Sequence, residues 1–231
     1  MGAKRPARGP RVLRNQPPLD AGQIVAAAVE LTRKHGLDYW TIRQLGGELE
    51  CWPAVIYHHV GDRDTVAYAV VDHVVGTVPE IDSSVPWRDG LRAQLNDLRV
   101  VLREHPGVAR WLALNGPVVP AVLRLVDHGV QTLAAAGLGG EAPAAHSVLM
   151  NSVLLLIAME DERDTQPFLC EEIDRTLNAY LDSTAHPGLA QLAAVRHDEL
   201  RADHFYRYTV DRALDGVEAR LAVLSRVRPP A

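Results

Sequence analysis

Residues 20–75 are punctuated so densely by helix-start and helix-stop signals that only a set of short helices can satisfy them. Asp20 stands three residues ahead of Gln23, the spacing of a reciprocal capping box. Ile24, Ala27, Ala28 and Leu31 then recur at i, i+3, i+4 and i+7, which puts them on one helix face. Gly36 stops that helix, since it enters the left-handed conformation at the lowest cost. Thr41 and Gln44 repeat the capping pair for a second helix, whose buried face is Ile42, Leu45 and Leu49. The pairs Leu19/Ile24 and Trp40/Leu45 are spaced to form hydrophobic staples at the starts of these two helices. Pro53 reads as the first position of a third helix, where its missing N–H costs nothing. Gly61 ends that helix, and Asp62 caps a fourth carrying the stripe Val66, Val70, Val74. Two short helices joined by Glu50-Cys51-Trp52 and braced on each side by a longer one spell a helix-turn-helix module.

The remainder is also helical by periodicity, with segments predicted at 87–104, 106–114, 117–136 (closed by Gly137), 142–162, 167–184 and 203–227. A polar stretch after Pro187-Gly188 carries no clear pattern, and the tail after 227 reads as disordered. The expected fold class is therefore all-α: an N-terminal three-helix helix-turn-helix DNA-binding domain and a larger helical ligand-binding and dimerisation domain. The boundaries expected are a basic flexible arm over 1–19, the helix-turn-helix domain over 20–78 and the helical regulatory domain over 86–227. A chain that is 47% hydrophobic and 23% charged has the matter for such a core. The longest weakly polar run, 144–159, still holds His146, Ser147, Asn151 and Ser152 and is shorter than the roughly 20 residues of a membrane span, so no membrane association is expected. Two isolated cysteines and no leading apolar run point to a reducing, cytoplasmic setting.

The net charge of −5 is unevenly spread: +1 through Val75 and −6 beyond it. Lys4, Arg5, Arg8, Arg11 and Arg14 all precede the first acid, Asp20, so a polyanion would meet the N-terminal end. The arginines from Arg5 recur every third residue among prolines, and a polyproline II arm would align them along one edge, suited to a minor groove or to solvent as a solubilising tail. An eight-residue third helix is roughly 12 Å long, enough to cross one major groove. Its candidate base-facing residues are Trp52, Pro53, Ala54 and His58, while Val55, Ile56 and Val60 are available for packing. Tyr57, Thr41, Arg43 and Arg63 are candidates for phosphate. A purely structural helix pair, with Tyr57 half-buried and Trp52 a core anchor, is the alternative use of the same helices.

The segment 24–74 closely resembles the tetracycline-repressor (TetR) family. The resemblance rests on A-A-A-V-E-L-T-R-K-H-G-L-D-Y-W-T-I-R-Q-L followed by I-Y-H-H-V-G-D-R-D-T-V. Matched positions are Gly36, Thr41, Arg43, Leu45, Leu49, Ile56, Tyr57, His59, Val60 and Arg63. Glu50 replaces the family's usual turn glycine and Arg63 its usual lysine. The C-terminal F-Y-R-Y-T-V-D-R-A-L-D-G-V-E-A-R-L is similar to the last helix of that family's regulatory domain.

The resemblance implies a homodimeric transcriptional repressor that leaves double-stranded operator DNA when a small organic effector binds. It implies a four-helix dimer interface, for which Val148, Leu155, Phe205, Val217 and Leu221 are the candidates. It also implies an effector pocket among the middle helices. There Trp111, Asn115, His128, Gln131, Met150 and Asn151 are the polar or polarisable exceptions on apolar helices. No GxSxG, P-loop, GxGxxG or HExxH motif argues for an enzyme, and no cofactor or metal is called for. His58 and His59, being consecutive, should diverge, and the run Glu160-Asp161-Glu162-Arg163-Asp164 reads as a solvated helix end. A helical protein-interaction or scaffolding module is the competing reading.

Overall fold

The computed structural model describes residues 19–196 and 202–227. The described residues form helices and no strand. In chain order these are α1 (Ala21–His35), α2 (Ile42–Glu48), α3 (Pro53–His59), α4 (Arg63–Gly76), α5 (Trp87–Arg103), α6 (Val108–Asn115), α7 (Pro120–Leu133), α8 (Ala142–Thr165), α9 (Pro167–Asn178), α10 (Pro187–Arg196) and α11 (Ala202–Val227). The arginines of the N-terminal arm, Arg5, Arg8, Arg11 and Arg14, and the tail after 227 lie outside the described residues.

Local chemistry sets the first four helices where the sequence puts them. Asp20 accepts from the Gln23 N–H at 2.8 Å while Gln23 accepts from the Asp20 N–H at 3.0 Å. Thr41 and Gln44 close the second box at 3.2 and 2.8 Å. Asp62 accepts from the Thr65 N–H at 2.9 Å to start α4. Burial follows the predicted faces: Ile24, Ala28 and Leu31 of α1 meet Leu45, Ile56, Val66 and Val70 in one core. The Trp40 indole N–H donates to Thr32 Oγ1 at 2.9 Å, and the Thr32 hydroxyl donates to the Ala28 carbonyl. That satisfies the polar atoms sealed at the centre of this unit.

Helices α5 to α8 and α11 continue that core into a second section around Leu91, Leu95, Leu98, Leu102, Leu149, Val153 and Ile157, closed by Tyr206, Val210 and Leu214 of α11. The buried Tyr206 hydroxyl donates to the Leu95 carbonyl at 2.6 Å. Beside it Arg99 and Arg103 of α5 pair with Glu160 and Asp161 of α8 at 3.1 and 2.7 Å. This corrects the expected solvated helix end: Glu160 is only 4% exposed, and burial pushes both carboxyls up against the pull of the arginines. Two acids of the run face inward because helical spacing turns them toward α5, and the guanidinium groups there offset much of the cost of desolvation.

Three further features differ from expectation. The predicted 167–184 helix stops at Asn178. The unpatterned stretch after Pro187 is helix α10. The stretch Pro120–Thr165 is long and apolar enough to cross a membrane by length and composition, which the reading of 144–159 alone did not anticipate. It is not one rod: Gly137 breaks it at φ 117°, and α7 and α8 fold back against each other.

Candidate nucleic-acid interface and effector cavity

The turn between α2 and α3 is tight. The Cys51 N–H donates to the Gly46 carbonyl at 2.8 Å, and a Cβ on Gly46 would fall 2.9 Å from the Cys51 carbonyl oxygen. Glu50, where a glycine was expected, takes φ +49° itself. With Ile56 buried beneath, α3 has only one way to face. Trp52 is 57% and Tyr57 54% exposed, and Ala54 and His58 are exposed beside them, while Pro53 is half-buried. Trp52, the N-cap of the seven-residue α3, and Tyr57 within it thus leave two large aromatic side chains in solvent. The His58 and His59 rings do not diverge as expected; they meet edge to face with centroids 5.2 Å apart.

The supporting residues divide. Arg43 is exposed with no ion pair or hydrogen bond among the described residues. Thr41 has its hydroxyl and N–H engaged in the capping box. Arg63 departs from expectation: its guanidinium turns inward, donates to the Leu37 carbonyl and lies 4.5 Å over the Trp40 ring. The aromatic face and the carbonyl attract it more than water does. It braces the α1–α2 turn rather than pointing at a phosphate.

That turn docks on the α5–α6 turn. The Leu37 N–H donates to the Pro106 carbonyl at 2.8 Å, and the Gly107 N–H donates to Asp161 at 3.1 Å. Helix α4 makes the other connection: Asp72 accepts from the Ala121 N–H at the start of α7 (2.7 Å), and Val75 lines a cavity in the second core.

The cavity holds about 130 Å³. Leu98, Leu112, Val122, Leu125, Val126 and Leu154 make its apolar wall, and Gln94, His146, Ser147, Met150 and Asn151 its polar or polarisable one. Met150 and Asn151, two of the six candidates, line this cavity. The other four candidates are not on this wall. Trp111 packs edge to face on Tyr68 at 4.9 Å, and Asn115 donates back to the Trp111 carbonyl. His128 faces Glu80 at 3.9 Å, and Gln131 donates to Asp127 on the helix surface. Gln94, His146 and Ser147 were missed; His146 and Ser147 lie one helical turn before Met150 and Asn151, which was the available signal. A larger cleft of about 740 Å³ runs between α5 and α11, but the arginines on its floor already hold Asp211, Asp203 and Glu160 at 3.0, 2.6 and 3.1 Å.

The dimer candidates also separate. Val148, Leu155 and Phe205 are exposed, and Met159 extends their α8 stripe. Val217 is 7% exposed and packs within the chain, and Leu221 is partly buried against the Gly137 turn. On α11 the outward face instead carries Tyr208, Gly216, Ala219 and Val223; a Cβ on Gly216 would meet nothing within 4 Å.

Comparison with known proteins gives these features a context. No protein-family model matches the sequence. An HTH-type transcriptional regulator of Saccharopolyspora erythraea is 32% identical over 168 residues, covering 69% of this chain and 71% of that protein. The Streptomyces coelicolor TetR family protein ActR, solved in complex with actinorhodin, is 26% identical over 89% of this chain and 99% of its own, with a TM-score of 0.74. BioQ, solved with its natural double-stranded DNA operator, is 25% identical over 70% of this chain and 99% of its own, with a TM-score of 0.58.

Proposed function

The chain belongs to the tetracycline-repressor family of DNA-binding transcription regulators, and from that premise we propose that it is a homodimeric, cytoplasmic repressor released from its operator by a small organic effector. In this reading 20–78 is the DNA-reading domain and 86–227 the effector and dimerisation domain. The observation that carries it is the pairing of α3's exposed Trp52, Tyr57 and His58 with a single helix, α4, that starts beside them and ends in the cavity wall at Val75. From Arg63 to Val75 is about 18 Å of helix. A molecule entering the cavity displaces the Val75 end, and a rigid helix carries that displacement to α3. The effector acts only through its preference for the shifted conformation, so its differential affinity sets the size of the response.

One α3 covers too little sequence alone, and two-fold pairing sets two of them on successive major grooves, about 34–36 Å apart. The exposed stripe Val148, Leu155, Met159 on α8 and the small-residue face Gly216, Ala219 on α11 suit such a helix-on-helix contact. Tyr57 and Arg43 would hold phosphates, with Trp52, Pro53, Ala54 and His58 toward base edges. The N-terminal arginines Arg5, Arg8 and Arg11 would add contacts in the flanking minor groove.

Selection of bound sites from random duplex DNA tests the reading. A recurring palindromic site is expected, and His58→Ala and Tyr57→Ala should each weaken binding about tenfold, one base or phosphate contact being worth about 1–3 kcal/mol. Leu155→Arg should yield monomers and lower operator affinity. Removing residues 1–15 should reduce the slope of log K against log salt by about 0.9 per lost phosphate contact. A monomeric wild type, or binding with no sequence preference, overturns the reading.

A further inference from the structure

The cavity beneath α8 is lined without a single Asp, Glu, Lys or Arg. Its one deeply buried ring is His146, 4% exposed, and no described residue offers that ring a hydrogen bond. No fully sealed side-chain polar atom lacks a partner among the described residues, so the unpaired ring nitrogens of His146 are not fully enclosed by the protein, and the residue lines this cavity. Gln94, itself 6% exposed, makes only a long 3.4 Å contact through its amide nitrogen to the Pro79 carbonyl, which leaves its side-chain oxygen unpartnered in the same wall. The ring keeps its place because residue 129 is glycine. A Cβ there would fall 2.5 Å from both Cδ2 and Nε2 of His146.

We infer that this cavity takes an uncharged, mainly apolar organic molecule carrying a hydroxyl or carbonyl group, and that His146 is the residue that reads that group. The inference rests on the effector reading above and adds the ligand's chemistry. A neutral imidazole both donates and accepts, and burial lowers the His146 pKa and keeps it neutral. A carboxylate or an ammonium would lose its hydration in this cavity and find no opposite charge. A hydroxyl or carbonyl meets the ring and completes a hydrogen bond that the chain's own groups leave unmade. At about 130 Å³ the space is close to the roughly 150 Å³ apolar cavity known to hold benzene, so a single substituted ring matches this conformation.

The test uses a matched set of probes on the full chain, by calorimetry without DNA: p-cresol, toluene, p-toluate and p-methylbenzylammonium. p-Cresol should bind saturably and at least tenfold more tightly than either charged probe. His146→Leu should lose about tenfold in p-cresol affinity, the worth of about one buried hydrogen bond, and none for toluene. His146→Gln, which keeps a donor and an acceptor, should recover part of the loss and guards against a folding defect in the leucine variant. Gly129→Ala should push the ring into the cavity and weaken p-cresol and toluene together. Tighter binding of either charged probe, no binding by any, or equal p-cresol affinity in wild type and His146→Leu overturns the inference. A gel shift with p-cresol addresses the underlying reading separately: binding through His146 that leaves operator affinity unchanged removes the effector role and leaves the ligand chemistry standing.

Discussion

Helices α1–α4 and α5–α11 bury their polar groups in opposite ways. The first unit seals one polar residue, Thr32, and satisfies it locally through Ala28 and Trp40. The second seals Gln94, His146, Glu160 and Asp161, two of them acids that must be paired from another helix and two lining a cavity. A dry, locally satisfied core resists small displacements as a block. A core with a void and long-range ion pairs has alternative arrangements close in energy. The block is the part that carries the exposed Trp52 and Tyr57, and the part with alternatives holds the cavity.

The largest expected effect strikes the second unit. Arg99→Met leaves Glu160 only the longer 3.7 Å contact with Arg103 and should cost about 3 kcal/mol in denaturant unfolding, because a poorly compensated charge remains buried. Arg99→Met with Glu160→Met should recover most of that loss, since an apolar pair there has no charge to desolvate. Should the double variant be as unstable as the single, the pair contributes more than it costs and the contrast between the two cores weakens. In the first unit, Trp40→Phe removes the indole donor from Thr32 and part of the Arg63 stack, for about 1–3 kcal/mol. Its effect should be confined: cavity binding should be unchanged while operator affinity falls with the α1–α2 turn.

The two units also differed in how legible they were. Six of the eight boundaries of α1–α4 are marked by a residue whose chemistry acts within four positions: Asp20, Thr41, Pro53, Asp62 and the glycines at 36 and 61. On α10 only Pro187, at its first position, is a comparable mark, and the Ala and Leu residues that follow carry no sharp stripe. The exposed side of α3, proposed above to meet DNA, was readable because Ile56 alone had to be buried. The cavity was not, because a wall depends on how α5, α7 and α8 are rotated against one another. Trp111, His128 and Gln131 have the right chemistry on the wrong side of their helices. His146 owes its position to Gly129, seventeen residues away; no local pattern records that contact. Arg63 misled for a similar reason, since the carbonyl it meets belongs to Leu37.

A smaller, graded effect is expected from acid. Burial holds the His146 pKa below its ordinary value of 6.5, so between those two values the unfolded chain binds a proton that the folded chain refuses. The contribution is intact above pH 6.5 and is lost as the pH falls from there toward the lowered value. His146→Leu cannot take up that proton, so the difference in unfolding free energy between the two proteins should shift in favour of the variant on acidification. A difference that is flat across this window would mean that the ring is solvated, and the cavity wet.

The smallest effect sits at the turn before α3. Glu50 holds φ +49° without being glycine, a conformation that costs an L residue about 1–2 kcal/mol. Glu50→Gly removes that strain but gives the unfolded chain more freedom, worth about 0.5–1 kcal/mol in the other direction. The net should be a gain of about 0.5 kcal/mol in denaturant unfolding. The same substitution deletes an exposed carboxylate beside Trp52, so operator affinity at low salt should rise, and the gain should shrink as salt screens it. Both measurements bear on the contrast drawn above. If the DNA-reading unit is the rigid block, loosening its turn changes affinity only through charge; an affinity that falls at every salt concentration would mean that the strained Glu50 turn is what aims α3.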